Sequence, residues 1–78
     1  MKILVIGLGS MGKRRIRNLK ALNEEDVIAF DLREDRRKEV EEEYKIKTFE
    51  SFEDAIKEKP EIFIISVPPD IHLEYQKL

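Results

Sequence analysis

Gly7-Leu8-Gly9-Ser10-Met11-Gly12 follows directly on the apolar run Ile3-Leu4-Val5-Ile6, and no other stretch restricts the chain so tightly. An apolar strand that breaks into G-x-G-x-x-G and then into a helical pattern fits a loop built to lie against phosphate. Each glycine has its own mechanical task. Gly7 lets the chain turn at the carboxyl end of the strand. Gly9 carries no side chain, so a pyrophosphate can come close to the backbone. Gly12 lets the next helix pack tightly on the strand. The start of that helix then offers unpaired N–H groups and a partial positive charge. Glycine-rich turns are common, and it is the position between strand and helix that gives this one weight.

Val27-Ile28-Ala29-Phe30 reads as a second buried strand and ends in Asp31, about twenty residues beyond Gly12. At that spacing a carboxylate accepts hydrogen bonds from an adenosine ribose. The competing reading is that Asp31 caps the helix that begins near Arg33. The glycine motif upstream favours the ribose. A carboxylate there repels a 2′-phosphate, so NAD is the favoured cofactor. Arg33, Arg36 and Arg37 stand close enough in sequence to offset that repulsion, and NADP stays open.

Seventy-eight residues suffice for one small domain, residues 1–78, with a thin core. Apolar and charged residues each make up 41% of the chain, and the net charge is −2. Such a balance describes a globular domain with a heavily ionised surface, and gives no field for nucleic acid or an anionic membrane. The basic cluster Lys13, Arg14, Arg15 and Arg17 reads first as a solvated helix face. No cysteine and a single His72 rule out a disulfide framework, a thiolate nucleophile and a histidine metal cluster, and no metal site is expected. The opening residues lack a signal-peptide pattern and no apolar run approaches a membrane span, so the expected location is the cytoplasm.

Strand and helix signals alternate along the chain. Strands are expected at Lys2 to Ile6, Val27 to Asp31, Lys47 to Phe49 and Ile62 to Val67. Helices are expected at Met11 to Leu22, with Ile16, Leu19 and Leu22 inward, and at Arg33 to Glu43, with Val40 and Tyr44 as its inward edge. A third helix begins after the N-cap Ser51, with Asp54 three residues on, and buries Phe52, Ala55 and Ile56 until Pro60 stops it. The continuous apolar run of the fourth strand suggests cover on both faces. Pro68-Pro69 ends it, and Asp70 can cap a last helix carrying Ile71, Tyr75 and Leu78. Right-handed crossovers then give an α/β fold of the Rossmann type, a doubly wound parallel sheet of about four strands in the order 3-2-1-4 and only part of a full dinucleotide fold.

Three stretches resemble the N-terminal domain of the Gfo/Idh/MocA oxidoreductases. They are Val5-Ile6-Gly7-Leu8-Gly9-Ser10-Met11-Gly12 with Arg15-Ile16-Arg17-Asn18-Leu19; Asp31 followed by Arg36; and Ile64-Ile65-Ser66-Val67-Pro68-Pro69-Asp70-Ile71-His72. The resemblance runs through the whole chain, and its most selective part is the spacing from Pro68 to His72. It implies that Gly7, Gly9, Ser10, Met11 and Gly12 line the pyrophosphate and that Asp31 holds the adenosine ribose, with Arg33 and Arg36 beside it. It also implies that Ser66, Val67, Pro68 and His72 border the nicotinamide ribose. A lone histidine that opens a helix is more often a surface or capping residue, and acid–base chemistry is not expected of His72.

The chain departs from the family in two ways. Arg15 stands where many members have histidine. Glu58-Lys59-Pro60 matches the family's lysine motif in letters but precedes the fourth strand, at the end opposite the glycine loop, so Lys59 is read as part of a helix terminus. No catalytic residue is therefore expected within the chain. The resemblance implies an NAD(P)-dependent parent enzyme moving hydride to or from a hydroxyl or carbonyl of a sugar, polyol or related metabolite, with its substrate domain absent from this chain. Taken alone the chain is expected to be inert, and to self-associate through an exposed sheet edge. Two alternatives remain at this stage: a β-hydroxyacid-type dehydrogenase, which shares the glycine motif but lacks the Pro68-to-His72 spacing, and a non-catalytic dinucleotide-sensing module.

Overall fold

A computed structural model describes residues 1–66 of the chain. Within them the elements run β1 (Ile3–Ile6), α1 (Ser10–Ala21), β2 (Val27–Phe30), α2 (Glu34–Tyr44), β3 (Lys47–Phe49), α3 (Phe52–Lys57) and β4 (Ile62–Ile65). The four strands form one parallel sheet in the order β3-β2-β1-β4. Ile3 pairs with Val27 and Ile62, and Ile6 with Phe30 and Ile65. The two central strands are buried along their whole length, as uninterrupted runs of branched and aromatic residues require.

Alternation along those strands builds two cores. Val5, Val27 and Ala29 face α1 and α2 and pack with Leu8, Ile16, Val40 and Ile46. Leu4, Ile6, Ile28 and Phe30 face the other way and pack with Ala55 of α3. Phe52 meets Phe30 edge to face, ring centroids 5.7 Å apart. Two helices on one face and the third on the other are what right-handed crossovers produce when the chain reverses its direction across the sheet.

The helix boundaries fall within a residue or two of expectation. Val40 is buried and Tyr44 half-buried, and the Ser51 hydroxyl accepts from the Asp54 amide at 3.4 Å. Three expectations need correction. Leu22 is 77% exposed, because two steps of three residues rotate it away from Ile16 around the helix. Ile56 is exposed, and no described element covers β4 on both faces: Phe63 is 46% exposed. Both follow from the position of α3, which lies over β2 and β3. It leaves a groove of about 720 Å³ floored by Ile6, Phe63 and Ile65 and walled by Phe52 and Ile56.

The chain's three glycines all stand in the loop after β1 or the first turn of α1, so the left-handed residues at the helix ends are Asn23, Lys45 and Lys59, with φ of 61°, 57° and 56°. Glu58 ties the same end of the sheet together, its carboxylate 3.3 Å from Lys2 and 3.8 Å from Lys47. Glu58-Lys59-Pro60 therefore lies at the amino ends of β1 and β3, remote from the glycine loop. The expected last helix, with Asp70, Ile71, Tyr75 and Leu78, lies outside the described residues, as do Val67, Pro68 and His72.

Candidate functional site

The carboxyl ends of β1, β2 and β4 meet at the glycine loop. Gly7 takes φ 94°, a conformation only glycine adopts cheaply. Its amide donates to the Phe30 carbonyl at 2.9 Å, so the loop stays attached to β2 as it leaves β1. A Cβ on Gly12 would lie 2.8 Å from the Gly7 carbonyl carbon and closer still to its oxygen. Helix α1 reaches the strand only because that atom is missing. A Cβ on Gly9 would meet nothing nearer than the Arg36 guanidinium, at 3.5 Å. The space above Gly9 is therefore open, and internal packing does not require the missing side chain there.

The start of α1 differs from the other helix starts. Helices α2 and α3 carry Glu34 and Asp35, and Glu53 and Asp54, in their first turns. Helix α1 has no acid in its first turn, and its N-cap Gly9 supplies no side-chain acceptor. Ser10 and Met11 are exposed there. An N-terminus with unspent N–H groups and no carboxylate beside it suits an external anion.

Asp31 sits at the end of β2 with only 8% of its surface exposed. Its Oδ2 accepts from the Leu8 amide at 2.7 Å and its Oδ1 from the Arg33 amide at 2.8 Å. Asp31 is not the cap of α2, since Arg33 holds the N-cap position and no side chain caps it; the carboxylate instead bonds the backbone that leads into α2 and clamps the glycine loop. A carboxylate offers about four lone-pair positions, so each oxygen keeps capacity for a ribose hydroxyl. Leu8 is fully buried, and without Asp31 its amide would have no such partner.

The three arginines of the second loop go to different places. Arg33 grips Asp35 with two bonds, 3.2 and 2.8 Å, which holds the Asp35 carboxyl below its ordinary range. Arg37 donates to the Asp31 carbonyl at 2.9 Å and lies 3.7 Å from Glu50. Arg36 stands 3.8 Å from Asp31 Oδ2 and over Gly9. In the basic cluster of α1, Lys13 pairs with Glu39, while Arg14, Arg15 and Arg17 face solvent.

Ser66 closes the third side. Its amide donates to the Ile6 carbonyl at 2.7 Å, and its Cβ is 3.8 Å from the point where a Gly12 side chain would begin. The buried Ser66 Oγ has no hydrogen-bond partner among the described residues, an orphan donor and acceptor at the mouth of the loop. The sequence pointed to Gly7, Gly9, Ser10, Met11, Gly12, Asp31, Arg36 and Ser66, and the fold brings these together. It did not distinguish Arg37 from its neighbours, nor mark the Leu8 amide. An apolar residue between two glycines was the only signal for the latter.

An open loop at a bare helix start, a buried carboxylate after β2 and an orphan hydroxyl after β4 fit a dinucleotide, and with the parallel sheet they define a Rossmann-type dinucleotide-binding domain. Residues 1–77 match the family described as an oxidoreductase family with an NAD-binding Rossmann fold, Gfo/Idh/MocA. The chain belongs to that family. No curated protein matches the chain significantly. Among the described residues no helix is long and apolar enough to cross a membrane.

Proposed function

We propose that residues 1–78 form the cofactor domain of an oxidoreductase that moves hydride between NAD and a hydroxyl or carbonyl carbon of a sugar, polyol or related small metabolite, with the substrate-binding domain outside this chain. The observation that carries the reading is the α1 N-terminus, bare of acid and side-chain cap, held beside Asp31 by the Leu8 amide. The dinucleotide, when bound, supplies the redox chemistry. The chain's own residues bind and orient it. The first amides of α1 and the open face of Gly9 receive the pyrophosphate. Asp31 uses its remaining lone pairs on the adenosine ribose, which favours NAD by opposing a 2′-phosphate. The Ser66 hydroxyl, without a partner among the described residues, bonds the nicotinamide half. Family resemblance extends that border to Val67, Pro68 and His72.

Calorimetric titration with NAD tests this reading. The protein is expected to bind NAD, and Asp31→Ala to weaken binding by about 10-fold or more, the worth of a charge-assisted hydrogen bond. A protein that binds no nicotinamide dinucleotide would overturn it.

A further inference from the structure

We propose that Arg36 is a specificity-determining residue that makes this site accept a 2′-phosphate, so that the protein binds NADP as well as NAD. The proposal rests on the dinucleotide reading and goes past it, since Asp31 taken alone predicts exclusion of NADP.

Of the three arginines after Asp31, two have their donors committed. Arg33 spends Nε and one terminal nitrogen on Asp35. Arg37 is nearly buried, 13% exposed, and is held between the Asp31 carbonyl and Glu50. The Arg36 guanidinium makes no hydrogen bond among the described residues. At 3.8 Å from Asp31 Oδ2 it neutralises without being consumed, and its side chain is 39% exposed. Its position lies between the two points the dinucleotide must touch, Gly9 at the pyrophosphate and Asp31 at the ribose.

The charge on Asp31 is correspondingly well compensated. Two backbone amides donate to it and a guanidinium stands beside it, so its repulsion of a further anion is weaker than that of a bare carboxylate. A phosphate on the ribose that Asp31 holds then meets an arginine with its planar set of donors free, the geometry that phosphate recognition favours.

The test uses ADP-ribose and 2′-phospho-ADP-ribose, which differ only in the group at issue, titrated calorimetrically into the wild-type protein, Arg36→Ala and Arg36→Lys. Circular dichroism checks that each variant is folded. The wild type is expected to bind both ligands with affinities within about 10-fold of each other. Arg36→Ala is expected to lose about 10-fold more affinity for the 2′-phosphorylated ligand than for ADP-ribose, and Arg36→Lys to fall between, because a point charge replaces a fork. A wild type that binds ADP-ribose but rejects its 2′-phosphate overturns the proposal. So does an Arg36→Ala variant that weakens both ligands alike, or neither. A wild type that binds neither ligand refutes the dinucleotide reading itself, a result separate from the other two.

Discussion

Replacing Gly12 and Gly9 by alanine adds the same methyl group to two positions three residues apart, and the outcomes should differ in kind. At Gly12 the new carbon would fall 2.8 Å from the Gly7 carbonyl carbon. The Gly7 peptide cannot swing aside, because its amide is bonded to Phe30 and the next amide to Asp31. Helix α1 must lift from β1 instead. Overpacking of a well-filled core costs about 1–3 kcal/mol per added group, and an obstacle made of fixed backbone belongs at the upper end. Alanine's better helix propensity returns about 1 kcal/mol, leaving a net loss of about 2 kcal/mol. In a domain of this size that lowers the melting temperature by about 8–16 °C. At Gly9 the same carbon meets only the mobile end of Arg36 at 3.5 Å, with φ at −72°. The loss there is that of alanine against glycine as an N-cap, about 0.5–1 kcal/mol. The methyl group nevertheless occupies the side from which a pyrophosphate must come. Urea unfolding followed by circular dichroism, paired with NAD titration, separates the two: Gly12→Ala loses stability, Gly9→Ala loses affinity. Equal destabilisation by both substitutions, or a Gly9→Ala protein with unchanged affinity, would refute the division of tasks within the loop.

Other perturbations test the surrounding contacts. Asp31→Asn leaves one of two backbone donors, at Leu8 and Arg33, facing an amide NH₂ in place of an acceptor; a loss of about 1–3 kcal/mol in urea unfolding is expected, and an unchanged midpoint would mean the clamp contributes nothing. Burial, followed by the neighbouring Glu43 carboxylate, raises the Tyr44 phenol above its ordinary value. The unfolded chain then ionises first, so the stability this side chain gives is intact below about pH 10 and falls as pH rises from there through the folded value; Tyr44→Phe should flatten that alkaline loss, and identical alkaline profiles for the two proteins would dismiss the effect. The edge strand β4, with Ile62 and Phe63 exposed, is expected to drive concentration-dependent self-association. Sedimentation should show Phe63→Lys shifted toward monomer, and a wild type of constant monomeric mass at all concentrations would count against an adhesive edge.

The sequence carried the frame well because local signals and topology agreed. Lys47–Phe49 was found as a three-residue strand, since β-branched and aromatic residues there stand between charged helix ends. Ser51 announced its own helix through a capping hydroxyl. What escaped was what depends on neighbours across space. Leu22 shares a three-residue spacing with Ile16 but not its face. Ile56 has the right character for a core, yet α3 stands over β2 and β3 and turns it toward the groove. Phe63 reads as interior by composition, and its exposure is set by which strand lies at the edge. In the site, residue types and spacing identified Asp31 as important but gave no hint that its first partner is the Leu8 amide. Three nearly identical arginines could be sorted only by where their guanidinium groups end.

The left-handed ends at Asn23, Lys45 and Lys59 all fall at the amino side of the sheet, where each helix hands the chain to the next strand. A residue with a Cβ held there costs about 1–2 kcal/mol more than the same residue in an ordinary conformation. Among the described residues the relievable strain therefore lies in one layer and the proposed ligand contacts in another. Evolution or an engineer can adjust thermal tolerance at the lower layer by exchanging single residues, without moving a ligand-facing atom at the upper one. Robustness and recognition are in this sense inherited separately.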